Sequence, residues 1–205
     1  TPYKEVLDVY DEGLELPDDV TIIWPDDNYG YMKRLSSPKE QKRSGRSGVY
    51  YHSSYLGKPH DHLWMNTISP TLMYEELRKA YDMTADRIWL LNAGDIKSCE
   101  FAVDYFLTMA FDIDSFSFER AANYRTEWLC GMLGNDYRNE YQDVINSFYK
   151  LAFARKPEFM GWGYQWATDK HGRERNTDTD FSLANYREVD TRLAEYQRIG
   201  NMVEK

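Results

Sequence analysis

Apolar, β-branched residues gather in three short runs, and each run ends abruptly in polar side chains. Val20-Thr21-Ile22-Ile23 leads into Trp24-Pro25-Asp26-Asp27-Asn28-Tyr29-Gly30-Tyr31. Val49-Tyr50-Tyr51-His52 leads into Ser53-Ser54-Tyr55, and Ile88-Trp89-Leu90-Leu91 leads into Asn92-Ala93-Gly94-Asp95. Short apolar runs of this composition predict strands at about 20–24, 48–52 and 87–92.

Between and after these runs the apolar spacing changes to that of a helix. Val6, Leu7 and Tyr10 share one face of a short helix that stops at Gly13. Ser69-Pro70 is a helix start, and Met73, Leu77, Ala80 and Tyr81 recur at helical spacing until about Met83. A further helix runs from Cys99 to Phe111. Beyond Asp114 the pattern gives three amphipathic helices, Phe118–Leu133, Tyr137–Arg155 and Leu183–Glu204, with no strand between them. The polar segment Asp169–Asp180 reads as an exposed loop.

Strands alternating with helices imply βα units and a parallel sheet. Three strands are too few for a free-standing parallel sheet covered on both faces. The pattern therefore predicts an α/β fold: part of a (β/α)8 TIM-type barrel cut from a longer parent, over residues 1–114, followed by an all-α helical bundle over 115–205.

A hydrophobic fraction of 42% with 16% aromatics is enough for a packed core. The net charge of −9 argues against a nucleic-acid partner and against attachment to anionic lipid. No run is long enough to span a membrane. Cys99 and Cys130 sit in apolar helical patterns and read as buried thiols. Residues 29–48 carry six Lys and Arg among Ser, Pro and Gly; this basic loop either draws an anionic ligand or is simply solvated.

In parallel α/β proteins chemistry gathers at the carboxyl ends of strands. Asp26 and Asp27 end the first predicted strand, and strand alternation lets at most one enter a given pocket, leaving the other to close a turn. Asn28 offers both donor and acceptor to a sugar hydroxyl pair. Tyr51, His52, Tyr55 and Asn92 stand at the other two ends. Aromatic faces pack on sugar C–H faces, which makes these candidate carbohydrate contacts. A lone His is more often a core hydrogen-bonder, but His52 ends a strand. His60-Asp61-His62 raises zinc, yet its spacing matches no zinc signature, and neither metal nor cofactor is expected. The residues alone leave open a glycosidase, a non-catalytic carbohydrate-binding module, or a zinc hydrolase.

Several motifs in one order resemble a known family. Pro2-Tyr3-Lys4-Glu5-Val6-Leu7, Trp24-Pro25-Asp26-Asp27-Asn28-Tyr29-Gly30-Tyr31, Gly48-Val49-Tyr50-Tyr51-His52, Lys58-Pro59-His60-Asp61-His62-Leu63-Trp64 and Asn92-Ala93-Gly94-Asp95-Ile96-Lys97 are similar to glycoside hydrolase family 115, the xylan α-1,2-glucuronidases. The resemblance implies an inverting enzyme that removes glucuronic acid, or its 4-O-methyl ether, from glucuronoxylan or its oligosaccharides. It implies a secreted or periplasmic multidomain parent, with room for a homodimer. The family's Tyr-x-Glu falls on Tyr3 and Glu5, with Glu5 the implied catalytic acid. Its Asp-x-Asn falls on Asp26 and Asn28, with Asp26 the implied catalytic carboxylate paired with Glu5, and its His followed by Tyr falls on His52 and Tyr55. An Arg and further Asp residues of the family site have no counterpart in this chain, so the chain alone is expected to be inactive.

Overall fold

The computed structural model describes residues 1–54, 64–159, 164–168, 171–172, 174–178 and 188–204. Three strands, β1 (Ile22–Pro25), β2 (Ser47–His52) and β3 (Trp89–Asn92), form one sheet in the order β1-β2-β3. All are parallel, with Pro25 opposite Tyr50 and His52 opposite Asn92. The α/β class and the three strand positions match the apolar pattern. Three strands do not make a closed barrel.

Side chains on one sheet face build the core. Trp24, Val49 and Tyr51 are fully buried there, together with Leu77 and Phe106. Helix α1 (Glu5–Asp11) precedes the sheet. Helix α2 (Pro70–Asp82) begins where Ser69 Oγ accepts the Leu72 amide, and it turns Met73, Leu77 and Ala80 inward. Helix α3 (Glu100–Phe111) adds Phe101, Tyr105, Phe106 and Met109. Each such fully buried side chain contributes roughly 1.5–3 kcal/mol relative to exposure.

The crossover from β1 to β2 is not a helix. Residues 26–46 contain one 3-10 turn, Glu40–Lys42. The segment is held in place by polar contacts. Trp24 Nε1 donates to Ser36 Oγ, which donates to Ser47 Oγ, at 2.9 and 3.0 Å. The Met32 amide donates to Glu76 Oε2, and Arg34 grips Glu40, which also accepts from the Tyr10 hydroxyl. Arg43 donates to the carbonyls of Leu16, Pro17 and Val20. The expected basic loop thus spends much of its charge on its own packing.

Helices α4 (Phe118–Leu133), α5 (Arg138–Ala154) and α6 (Val189–Val203) follow. Helix α4 packs on α2, and Phe116 and Ala121 enter the same core as Trp24 and Leu77. The expectation of no strand in this half is overturned. Strands β4 (Tyr164–Thr168) and β5 (Glu174–Asp178) pair antiparallel, with Trp166 opposite Asn176. β5 lies inside the polar segment read as loop. Its Glu-Arg-Asn-Thr-Asp sequence carries no apolar alternation, so backbone pairing with β4 defines it. No helix among the described residues is long and apolar enough to cross a membrane.

Candidate active site

Parallel strands bring their carboxyl ends to one edge, and there the three polar run-ends meet. Asp26 follows β1, and its amide donates to the Tyr50 carbonyl at 3.1 Å. This turns its carboxylate toward β2. Asp26 Oδ1 lies 2.5 Å from His52 Nδ1 and also accepts the Asn28 amide. Asp26 Oδ2 accepts the His52 amide at 3.2 Å. The Asp26 side chain is 0% exposed and that of His52 is 5% exposed. Both carboxylate oxygens are therefore engaged with the chain, and neither meets solvent. Asp26 fixes an imidazole: with Nδ1–H donated to it, His52 keeps the Nε2 lone pair for a ligand.

Asp27 closes the turn. Its Oδ1 accepts the amides of Tyr29 and Tyr31, and its Oδ2 lies 3.5 Å from Lys33 Nζ. Only one of the two adjacent carboxylates faces the other strand ends, as strand alternation requires. The turn forces Asn28 to a φ of +68°, in the left-handed region. Gly30, at +92°, is wedged so closely that a Cβ would lie 2.8 Å from the Tyr51 hydroxyl and 3.1 Å from Ile68.

Tyr3 joins Asn28 to this group. Its hydroxyl donates to Asn28 Oδ1 at 2.9 Å, leaving both Asn28 Nδ2 hydrogens without a partner among the described residues. The Tyr3 ring stacks on His52 at 6.3 Å, and the Tyr50 ring lies 4.7 Å from the imidazole. Asn92 reaches across from β3, where its Nδ2 donates to the Tyr50 hydroxyl at 2.9 Å. Ser53 Oγ and Ser54 Oγ donate to the carbonyls of Asn92 and Ala93, holding the β3 end against β2.

The structure thus assembles Tyr3, Asp26, Asn28, His52 and Asn92. It corrects Tyr51. That side chain is 0% exposed, points into the core, stacks on Phe106 and donates its hydroxyl to the Gly30 carbonyl. Burial, reinforced by the Asp26 charge, pushes its hydroxyl pKa well above the usual tyrosine value. An enclosed side chain of this kind cannot meet a sugar. The residue packed beside His52 is Tyr50, which the sequence reading did not choose. The signal was available, because a period of two puts Tyr50 on the face of His52 and Tyr51 on the face of Val49.

Glu5 stands apart from the network. It is exposed in the first turn of α1, and its side chain makes no hydrogen bond or ion pair among the described residues. Tyr55 and the His60-Asp61-His62 group lie outside the described residues. Among the described residues no cluster of His, Cys, Asp and Glu could hold a metal.

A hollow of about 230 Å³ opens beside Tyr3 and Asn28, bounded also by Pro2, Leu7, Pro25 and Lys33. A larger one, about 600 Å³, lies between α1 and residues 34–43. There Arg34 is paired with Glu40 and Asp11. Of the two, the smaller hollow is the one that borders Tyr3, Asp26 and Asn28 of the strand-end network.

Comparison with known proteins adds two findings. The family model described as glycosyl hydrolase family 115 matches residues 1–159. A solved structure described as a family GH115 4-O-methyl-α-glucuronidase, BtGH115A, with specificity for decorated arabinogalactans, is 42% identical. Its TM-score is 0.85, over 99% of this chain and 26% of that one. This chain therefore spans about a quarter of the solved relative's length. No curated protein matches the sequence.

Proposed function

Because the chain belongs to glycosyl hydrolase family 115, we propose that it supplies one wall of the active site of a longer enzyme that releases glucuronic acid or 4-O-methylglucuronic acid from a plant polysaccharide. Residues 1–114 form the later strands of a (β/α) barrel, and residues 115–205 form a helical part that carries a hairpin. The exposed apolar residues Ile88 and Leu90 near the free edge of β3, and Leu107 on α3, support a sheet that continues into further strands.

The observation that carries this reading is the group of hydrogen bonds Tyr3–Asn28, Asp26–His52 and Asn92–Tyr50, joined by the Tyr50–His52 ring contact, at one sheet edge. It offers a sugar two amide hydrogens from Asn28, an imidazole lone pair and two tyrosine rings. An inverting hydrolase needs a carboxylic acid at the leaving oxygen and a base holding water roughly 6.5–9.5 Å away. In this reading Glu5 is the acid, brought to the bond when the remaining barrel covers α1. Asp26 acts through His52 and does not touch water. The base comes from a strand end elsewhere in the longer protein.

The linkage we assign is α-1,2, broken with inversion, on glucuronoxylan. Arabinogalactan is the second reading, favoured by the specificity given for the 42% identical relative. The experiment is to incubate the full-length protein with both polymers and quantify released uronic acid. Release from glucuronoxylan supports the first reading, and release confined to arabinogalactan supports the second. Release from neither, with protein folded by calorimetry, overturns both.

A further inference from the structure

We infer that Tyr50 is a positioning residue for His52, anchored in that role by Asn92. The inference rests on the reading above and adds to it a residue that strand position alone did not mark.

The Asp26 bond fixes one nitrogen of the imidazole and sets its tautomer. A single hydrogen bond still lets a flat ring rock about the bond axis. Two neighbouring rings packed against it limit that rocking: Tyr3, nearly parallel at 25° and 6.3 Å, and Tyr50, tilted at 55° and 4.7 Å. Tyr50 is the closer, and it precedes His52 by two residues on the same strand face. Tyr50 also meets Tyr3 edge-on at 6.2 Å, so the three rings form one group.

A tyrosine ring can swing about its own side-chain bonds unless its far end is held. The Asn92 Nδ2 hydrogen bond to the Tyr50 hydroxyl supplies that hold. Asn92 is in turn fixed because its carbonyl accepts from the Ser53 amide and Ser53 Oγ. At Gly94 the chain turns with a φ of +64°, and a Cβ there would lie 2.4 Å from Ser54 Oγ. The β3 end is thus tied to β2, and the tie reaches His52 through Tyr50. On this account the main task of Asn92 is to hold Tyr50, and direct contact with sugar is secondary.

A thermodynamic cycle separates the two roles. Tyr50→Phe keeps the ring and removes the hydroxyl, and Asn92→Ala removes the donor. If they form one anchor, each lowers kcat about tenfold with KM nearly unchanged, and the double variant is no worse than either single one. If each meets substrate independently, the losses multiply to about a hundredfold or KM rises, and the inference falls.

A second readout needs no turnover. Deuterium exchange at the His52 C2 position, followed by mass spectrometry on the full-length protein, reports how freely the imidazole is reached. It should quicken severalfold in Tyr50→Phe and Asn92→Ala alike, and return toward the wild-type rate in Asn92→Gln if the longer amide restores the bond. An unchanged rate in both truncating variants overturns the inference. A quickened rate in a protein that releases no uronic acid upholds the anchor and refutes the proposed function instead.

Discussion

At the scale of single residues, the decisive fact is which atoms are already occupied. Asp26 is the carboxylate that the sequence puts forward first, yet every one of its oxygens is bound within the chain. Its replacement by Asn would put an amide hydrogen or oxygen opposite His52 Nδ1 and disturb the tautomer. Asp26→Asn should lower kcat on the order of 10²-fold, with a smaller change in KM, as expected when a group that orients the substrate is misplaced. An unchanged kcat would mean that His52 needs no orienter. Tyr51 gives the opposite expectation. Tyr51→Phe removes the bond to the Gly30 carbonyl and should cost about 1 kcal/mol of stability in a denaturant melt. KM for substrate should not move; a rise of several-fold would return Tyr51 to the sugar.

At the scale of elements, the long crossover after β1 shows charge used for architecture. Arg34, the Ser37 amide and hydroxyl, and Tyr10 together pull the Glu40 carboxyl down to about 2, although burial opposes them. A carboxyl depressed in the folded state adds stability that is fully present above its ordinary pKa near 4.5 and is lost as pH falls toward 2. Glu40→Gln should therefore lower stability at neutral pH by about 1 kcal/mol, because solvent screens the pair. The gap from wild type should close in melts between about pH 5 and pH 2. A constant gap would show that Glu40 acts by shape alone.

How legible each element was follows from where its information lies. β1, β2 and β3 announce themselves because a buried strand needs consecutive apolar, β-branched residues. α2 does so through its Ser cap and its spaced Met73, Leu77 and Ala80. The cations of the crossover read as free because their partners are distant or are backbone. Arg43 meets carbonyls of residues 16, 17 and 20, and Arg46 meets Asp86. β5 left no apolar trace. The meeting of Asp26, His52 and Asn92 was readable from parallel topology, whereas the choice of Tyr50 over Tyr51 turns on a one-residue phase.

At the scale of the whole molecule, both β1 and β3 have a neighbour on one side only among the described residues. Such edges invite pairing with other chains. The 205-residue chain by itself should associate on size-exclusion chromatography and release no uronic acid. A monomer turning over like the longer protein would show the site to be complete without further strands.

The claim that joins these scales is that the strand-end network is part of a glucuronidase active site. The most direct test is the rate of uronic acid release from 4-O-methylglucuronoxylan oligosaccharides by the full-length protein, compared between wild type and His52→Ala. The account predicts steady release by wild type and at least a 10²-fold slower rate in the variant, consistent with loss of a group that orients the substrate. Equal rates in the two folded proteins, or no release by wild type, would contradict it.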